Sequence, residues 1–146
     1  MKNIDDITIK TSLQSNDKNG QYIRDKLYQF NIDQIGQDIK YSIYAYDIDK
    51  LVGGILVSEE KTSIFIDILW VDDAYRQCGI GSKLVDAAEQ NAIKKNILYS
   101  TTDTFEFQAV NFYLKNGYSE IGRIPKYIEG HDKIYFRKKL ILSKGD

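Results

Sequence analysis

The sequence predicts an α/β fold in which one mixed, mostly antiparallel sheet is flanked by helices on both faces. Three observations predict it. The middle of the chain holds three β-type runs joined by short polar turns, which is the pattern of an antiparallel meander. A glycine-bearing turn and an amphipathic helical segment follow. A short helix and two more strands end the pattern, and this order is typical of a mixed sheet with helices on it.

Composition limits both the size and the class of the protein. With 146 residues, 42% of them hydrophobic, we expect one domain over residues 1–146. The 20 basic and 21 acidic residues nearly cancel, so charge gives no reason to expect a nucleic acid partner. The lone cysteine, Cys78, suits a reducing compartment. The N-terminus lacks a signal-peptide pattern and no apolar run approaches the ~18 residues of a membrane span, so we expect a cytoplasmic protein.

The first third of the chain is predicted to hold a weak strand and two helices. Residues 8–13 have a faint strand pattern. Asp17 is a plausible N-cap for a helix over residues 17–30, because Ile23, Leu27 and Phe30 recur at helical spacing. A second short helix is expected at residues 32–37.

The middle and the last third supply the sheet. Strands are predicted at residues 41–46, 51–58 and 63–71, and the third is apolar on both faces except at Asp67, as in a central strand covered on both sides. A helix over residues 80–96 has one apolar stripe. The remaining elements are a strand at 97–101, a helix at 108–116 ended by Gly117, and strands at 118–124 and 133–140.

The turn between the third strand and the helix has the chemistry of an anion site. It reads Arg76-Gln77-Cys78-Gly79-Ile80-Gly81. Unpaired N–H groups and the positive end of the helix dipole attract anions, and the glycines allow close approach and positive φ. The spacing fits neither a Walker turn nor a dinucleotide fingerprint. Taken alone, it is equally typical of a plain connection.

Two segments resemble motifs of the GNAT acetyltransferase superfamily. Residues 71–84, Val-Asp-Asp-Ala-Tyr-Arg-Gln-Cys-Gly-Ile-Gly-Ser-Lys-Leu, are similar to its acetyl-CoA-binding motif. Residues 109–118 are similar to its later Ala-x-x-Phe-Tyr-x-Lys-x-Gly-Phe motif. The resemblance implies a GNAT fold and an acetyl-CoA-dependent N-acetyltransferase. Such an enzyme moves acetyl directly to a primary amine of a small molecule or peptide, uses no metal, and is often a homodimer.

The resemblance also implies which residues hold the cofactor. Backbone groups of Leu69 and Val71 would pair with the pantetheine arm, and N–H groups of the turn would hold the pyrophosphate. Many family members carry an asparagine that contacts the cofactor at the position where this chain has Glu106, so this chain departs from the family pattern there. The residues implied for the cofactor are Leu69, Val71, Arg76, Gln77, Cys78, Gly79, Ile80, Gly81, Ser82 and Asn111.

Two residues are candidates for proton transfer. Tyr113 takes the place of the family's usual tyrosine acid, and Asp67 is the best candidate base. As the one acid in an apolar strand, Asp67 is expected to be buried, which would raise its pKa. Deprotonating a lysine-like amine at neutral pH costs roughly 4–5 kcal/mol, so such an acceptor needs a base. A water relay, or a purely structural role for either residue, stays open.

Two other functions are compatible with the same fold. One is an acyl-CoA-binding sensor without turnover, against which Tyr113 argues weakly. The other is a toxin-type acetyltransferase acting on aminoacyl-tRNA, which a net charge of −1 does not favour. The acceptor itself cannot be identified from these motifs.

Overall fold

The structure, a computed structural model, describes residues 3–141. The described chain divides into two compact units between Gln37 and Asp38. The ends of the predicted single domain, residues 1–2 and 142–146, lie outside the described residues. In the described part, none of the helices combines the length and the apolar character that a membrane span requires.

The first unit holds one long helix, α1, at Lys18–Ile35. Its predicted N-cap is confirmed, because the Asp17 carboxylate accepts a 2.8 Å hydrogen bond from the Gly20 N–H. The predicted strand at residues 8–13 is wrong, since this segment pairs with no strand of the described chain. The separate helix at 32–37 is also wrong. Here α1 continues through Ile35 and stops at Gly36, whose φ of 84° cannot continue a helix.

The second unit contains the sheet and two shorter helices. Its elements lie within two residues of the predicted bounds at most of their ends. In chain order they are β1 (Ile39–Asp47), β2 (Lys50–Glu59), β3 (Ser63–Val71), α2 (Ile80–Lys94), β4 (Tyr99–Phe105), α3 (Val110–Lys115), β5 (Ser119–Ile128) and β6 (His131–Lys139).

The six strands form one mixed sheet in the order β1-β2-β3-β4-β6-β5. Only the β3–β4 pair is parallel, so the predicted mixed, mostly antiparallel sheet is confirmed. Both α2 and α3 lie on one face, which we call the helix face. Their apolar side chains, such as Leu84 and Tyr113, share one core with Ile66 of β3 and Phe136 of β6.

A β-bulge interrupts β3 at Asp67. Leu56 of β2 pairs with Ile68, and the next residue, Val57, pairs with Ile66. Asp67 is therefore the extra residue, and it reverses the alternation of side chains along the strand. The predicted cover on both faces is wrong for this half of β3. Ile68 and Trp70 project from the face opposite the helices and are 54% and 46% exposed.

Strand β4 extends to Phe105, four residues beyond its predicted end. The prediction stopped early because the core-facing side chains of β4 are polar. Ser100, Thr102 and Thr104 alternate inward and are buried, which an apolar pattern cannot reveal. Each hydroxyl has a partner. Thr102 donates to the Ile66 carbonyl at 3.0 Å, and Thr104 accepts from the Ala109 N–H at 3.3 Å. Buried hydroxyls with partners avoid most of the cost of desolvation.

A buried ionic network joins α2 to the sheet. Glu89 of α2 accepts hydrogen bonds from Lys138 Nζ at 2.7 Å and from the Tyr118 hydroxyl at 2.9 Å. The Tyr118 oxygen also lies 2.7 Å from Ser100 Oγ. Because a phenol has one proton, Ser100 is the donor in that second contact. The Glu89 carboxylate therefore connects α2, β6 and Tyr118, the residue that precedes β5.

We expect Glu89→Ala to lower the free energy of unfolding by about 3 kcal/mol, because it leaves the Lys138 ammonium and the Tyr118 hydroxyl without their acceptor. Urea denaturation followed by circular dichroism measures this. Asp86→Ala, an exposed acid on the same helix, is the matched control and should stay within about 0.5 kcal/mol. A loss below about 1 kcal/mol for Glu89→Ala would contradict the assigned role.

Candidate active site

The sheet opens between β3 and β4. Their parallel pairing ends at Ile66 and Thr102. Beyond this pair β3 remains bonded to β2 as far as Val71, while β4 remains bonded to β6 as far as Phe105. The Asp67 bulge bends β3 at this point. The inner edges of the two strands are thus left without a strand partner, and we call this gap the notch.

The turn before α2 holds its shape through two positive φ angles. Gln77 has φ of 64° and Gly79 has φ of 86°. No side chain caps the helix, since Gly79 is the N-cap, and the first intrahelical acceptor is its carbonyl, bonded by the Lys83 N–H. The N–H groups of Ile80, Gly81 and Ser82 therefore precede the first helical hydrogen bond, as in anion-binding helix starts.

A cleft of about 710 Å³ joins the notch to this turn, within the range of small-molecule sites. It lies between the start of α2, the end of β3 and α3. Of the side chains lining it two are cationic, Arg76 and Lys115, and none is acidic. Its electrostatic character therefore suits an anionic ligand. The lining residues predicted from the sequence are Leu69, Val71, Arg76, Gln77, Gly79, Ile80, Gly81 and Ser82.

The other four candidates lie elsewhere. Cys78 is exposed within the turn, and Asn111 is exposed on α3, both outside the lining of the cleft. Tyr113 lies in the core beneath the cleft, and Asp67 projects from the opposite face of the sheet. The structure thus groups the predicted phosphate turn and strand end, and it separates the two proton-transfer candidates.

Arg76 is engaged with its own segment. Its Nη2 lies 3.0 Å from Asp73 Oδ1, and its Nε donates to the Val71 carbonyl at 3.4 Å. Both side chains of the ion pair are exposed, so the pair contributes little to stability. The guanidinium is nevertheless held at the mouth of the cleft.

Tyr113 is 4% exposed and packs among aromatic rings. Its ring contacts Phe112, Tyr118 and Phe136 at centroid distances of 5.1, 5.4 and 5.9 Å. Burial raises the pKa of the Tyr113 phenol; a hydrogen bond with Thr102 lowers it in part, and the negative charge of Asp103 raises it. The phenol is therefore protonated across the neutral and mildly alkaline range, as an acid must be before it donates.

The environment of Asp67 differs from the one predicted from the sequence. It is exposed, so the predicted burial is wrong. The bulge places its side chain on the open face, where it accepts a 2.6 Å hydrogen bond from Ser58 Oγ of β2. Because β2 lies on the side of β3 away from β4, this bond draws the carboxylate away from the notch.

The loop between β4 and α3 forms the rim of the cleft. Phe107 lines the cleft, stacks on Phe105 at 5.5 Å and contacts the His131 ring edge-on at 4.7 Å. His131 Nδ1 lies 2.9 Å from Glu106 Oε1. Glu106, which stands where many family members have an asparagine, is therefore bound to the β5–β6 turn.

Sequence reasoning missed several lining residues. Tyr75, Phe112 and Lys115 line the cleft. They fall inside the two quoted motifs, so the motifs could have indicated them as cofactor-binding residues. Phe107 and Gln108 precede the second motif, and only the folded loop shows that they reach the cleft. Within residues 3–141, no three His, Cys, Asp or Glu side chains are grouped as a metal site would require.

Comparisons with known proteins agree with this architecture. The family model described as Acetyltransferase (GNAT) family matches residues 9–118. Blasticidin-S acetyltransferase of Streptomyces morookaense is 35% identical over 82 residues, 56% of this chain and 60% of that protein. An acetyltransferase of Agrobacterium fabrum is 26% identical over 89 residues, 61% of this chain and 65% of that protein. The chain thus matches less than two thirds of the length of either relative.

Solved structures extend the similarity to the whole fold. An acetyltransferase from Bacillus cereus superimposes with a TM-score of 0.76 at 29% identity, over 88% of this chain and 97% of that one. An aminoglycoside 6′-N-acetyltransferase complexed with coenzyme A superimposes with a TM-score of 0.66 at 18% identity, over 87% and 96% of the two chains. The second likeness supports the fold alone.

Proposed function

Because the chain belongs to the acetyltransferase (GNAT) family, whose model matches more than half of it, we propose that it transfers acetyl from acetyl-coenzyme A to a primary amine. The single observation that carries the proposal is the cleft. It places a turn with free N–H groups, two cations and an unpaired strand edge in one continuous surface. These three features match the phosphates and the amide-bearing arm of coenzyme A.

The turn would hold the pyrophosphate. Its donors are the N–H groups of Gln77, Gly79, Ile80, Gly81 and Ser82, aided by the helix dipole. Arg76 and Lys115 would supply positive charge at the two sides of the cleft. Cys78 contributes no more than its backbone, and Asn111 would reach the cofactor only at its margin.

The edge of β3 would align the pantetheine arm. Leu69 and Val71 lie beyond the last β3–β4 pair, so backbone groups there face the notch rather than a strand. Extended amide groups of a ligand add to such an edge as a further strand would. The thioester would then lie at the closed end of the notch, near the Ile66–Thr102 pair.

Tyr113 would protonate the leaving thiolate. A phenol pKa near 10 lies about 1.5 units above that of a thiol, so complete transfer costs about 2 kcal/mol. Burial of Tyr113 adds to this cost. The phenol therefore helps most as a hydrogen-bond donor to the developing sulfur charge, with the proton moving as the C–S bond breaks.

The amine would lose its proton on the open face of the sheet. Asp67 is the carboxylate proposed for this from the sequence, with a water relay as the alternative. The acceptor class is proposed as a small-molecule amine, because the matched Streptomyces relative is named for acetylating blasticidin S. A peptide amine is the second class. Homodimer formation and a cytoplasmic location remain predictions.

The activity is tested by the release of free thiol from acetyl-CoA in the presence of a panel of primary amines, with the products identified by mass spectrometry. Turnover with at least one amine is expected. Binding of acetyl-CoA without turnover on any amine would indicate a sensor instead. No binding at all would overturn the proposal.

We expect Gly81→Val to weaken coenzyme A binding at least tenfold in calorimetry while leaving kcat at saturation within about threefold. A Cβ at Gly81 would lie 3.1 Å from Phe112 Cε2, so a branched side chain must displace this wall of the cleft. Gly122→Val is the matched control, since a Cβ there meets no atom within 4 Å. Equal affinity in Gly81→Val and the wild type would count against the turn as the phosphate site.

We expect Tyr113→Phe to lower kcat about 100-fold, the lower end of general acid catalysis, with the Kd for acetyl-CoA changed less than threefold. Steady-state kinetics and calorimetry measure the two quantities. Tyr118→Phe, which removes a neighbouring buried hydroxyl bonded to Glu89, controls for structural damage and should mainly lower the melting temperature. If both variants lose kcat equally, Tyr113 is not the acid.

A further inference from the structure

The face of the sheet opposite α2 and α3 is called the open face of the notch. On the helix face, the closed end is filled by Ile66, Tyr113 and Phe136, all buried. The cleft lies on this same face, between α2 and α3. If acetyl-CoA occupies the cleft, as proposed above, the second substrate must reach the thioester from the other face.

Asp103 is the carboxylate of β4 at this opening. It follows Thr102, the last residue of β4 that pairs with β3. Its neighbours Thr102 and Thr104 are buried on the helix face, so alternation directs Asp103 to the open face. Its side chain is 30% exposed. Asp103 thus stands at the edge of the notch, directly beside its closed end.

The surroundings of Asp103 leave its oxygens available. Lys133 Nζ is 3.9 Å from Asp103 Oδ1, the far limit of an ion pair. That ammonium is also 4.8 Å from the centroid of the Tyr127 ring. Lys133 is therefore a distant partner that leaves room for a further donor at the Asp103 carboxylate. Tyr135 of β6 lies opposite in the register, and Asp67 is the nearest acid of β3 along the notch.

Asp103 and Tyr113 lie on opposite faces at the same level of the sheet. The carboxylate is close enough for its charge to raise the pKa of the Tyr113 phenol. Asp67, by contrast, is held by Ser58 of β2 at 2.6 Å, on the far side of β3. The charged partner of Asp103, Lys133, also lies on the strand away from the notch, but at 3.9 Å this contact is looser than the 2.6 Å hydrogen bond of Asp67, so Asp103 is the less restrained of these two carboxylates.

We propose that Asp103 is the carboxylate that accepts the proton of the acceptor amine, which enters from the open face. The inference rests on the proposed function. The ammonium first loses one proton to Asp103, which later passes it to solvent. The nitrogen lone pair then bonds to the thioester carbon, the C–S pair leaves on sulfur, and Tyr113 protonates the thiolate. The proton lost on amide formation returns to the phenolate.

The test compares two acceptors that differ in amine pKa, one near 10.4 and one near 7.7. At pH 7 the first is almost wholly protonated and needs a base, while the second needs little help. Asp103→Asn should lower kcat/KM at least 100-fold for the first amine and less than tenfold for the second. A merely structural defect would lower both equally, and melting temperature and coenzyme A affinity check the fold.

Three variants complete the experiment. Asp86→Asn, an exposed acid on α2, should leave both rates unchanged. Asp103→Glu keeps the charge and should recover part of the rate on the high-pKa amine. If Asp103→Asn does not fold, Asp103→Ser replaces it, and an unchanged ratio between the two amines in that variant overturns the assignment. Asp67→Asn should cost less than tenfold.

The outcomes separate this inference from the proposed function. If the wild type turns over but Asp103→Asn loses no selectivity for the high-pKa amine, only the assignment of Asp103 falls. A larger and pKa-dependent loss in Asp67→Asn would return the role to that residue. A wild type that binds acetyl-CoA and acetylates no amine overturns both.

Discussion

The end of the β3–β4 ladder at Ile66 and Thr102 is the constraint on which the site depends. A parallel pair that stops in mid-sheet leaves backbone groups without partners, and such groups are costly when buried. The protein limits the cost at the branch point, where the Thr102 hydroxyl donates to the Ile66 carbonyl at 3.0 Å. Beyond it, β2 and β6 each hold one strand by a continuous antiparallel ladder. The width of the notch is therefore set by sheet pairing rather than by loops, and rigid elements hold reacting groups more accurately.

The helices complete the cleft because small residues let them approach the sheet. A Cβ at Gly53 of β2 would lie 3.2 Å from Ile80 Cγ2, and one at Gly81 would lie 3.1 Å from Phe112. Both glycines thus keep the start of α2 close to β2 and to α3. Gly79 serves a different need, since no atom lies within 4 Å of its Cβ position but its φ is 86°. For a residue with a side chain, the left-handed region costs roughly 1–2 kcal/mol. Close approach and positive φ together place the start of α2, with its free N–H groups, beside the end of β3 in the lining of the cleft.

Much of the fold follows from local patterns, and the errors have a common origin. The bounds of β3 and the Asp17 cap were predicted because hydrophobic periodicity and capping are local signals. The length of β4 was not, because its inward side chains are hydroxyls whose partners come from distant parts of the chain. The orientation of Asp67 depends on a bulge, which is a property of strand pairing and has no signature in one strand. The phosphate turn could be predicted from the six consecutive residues Arg76 to Gly81. Asp103 could not, since its place beside the notch requires the registers of β4 with both β3 and β6.

The sheet keeps apart two groups whose proton affinities must differ. If Tyr113 is the acid, as proposed, it has to stay protonated until sulfur takes the proton, and burial favours this by raising the pKa of its phenol. A carboxylate that accepts a proton from an amine has to start ionised and has to pass the proton on, and Asp103 has the contact with solvent that this second step needs. Placed together in the core, the two would disturb each other, because a buried carboxylate tends to become neutral. On opposite faces of the sheet, Tyr113 is buried and Asp103 is in contact with water, and the proposed site of the thioester lies between them. The proposed mechanism therefore takes its acid from the core and its base from the solvent-exposed face of the sheet.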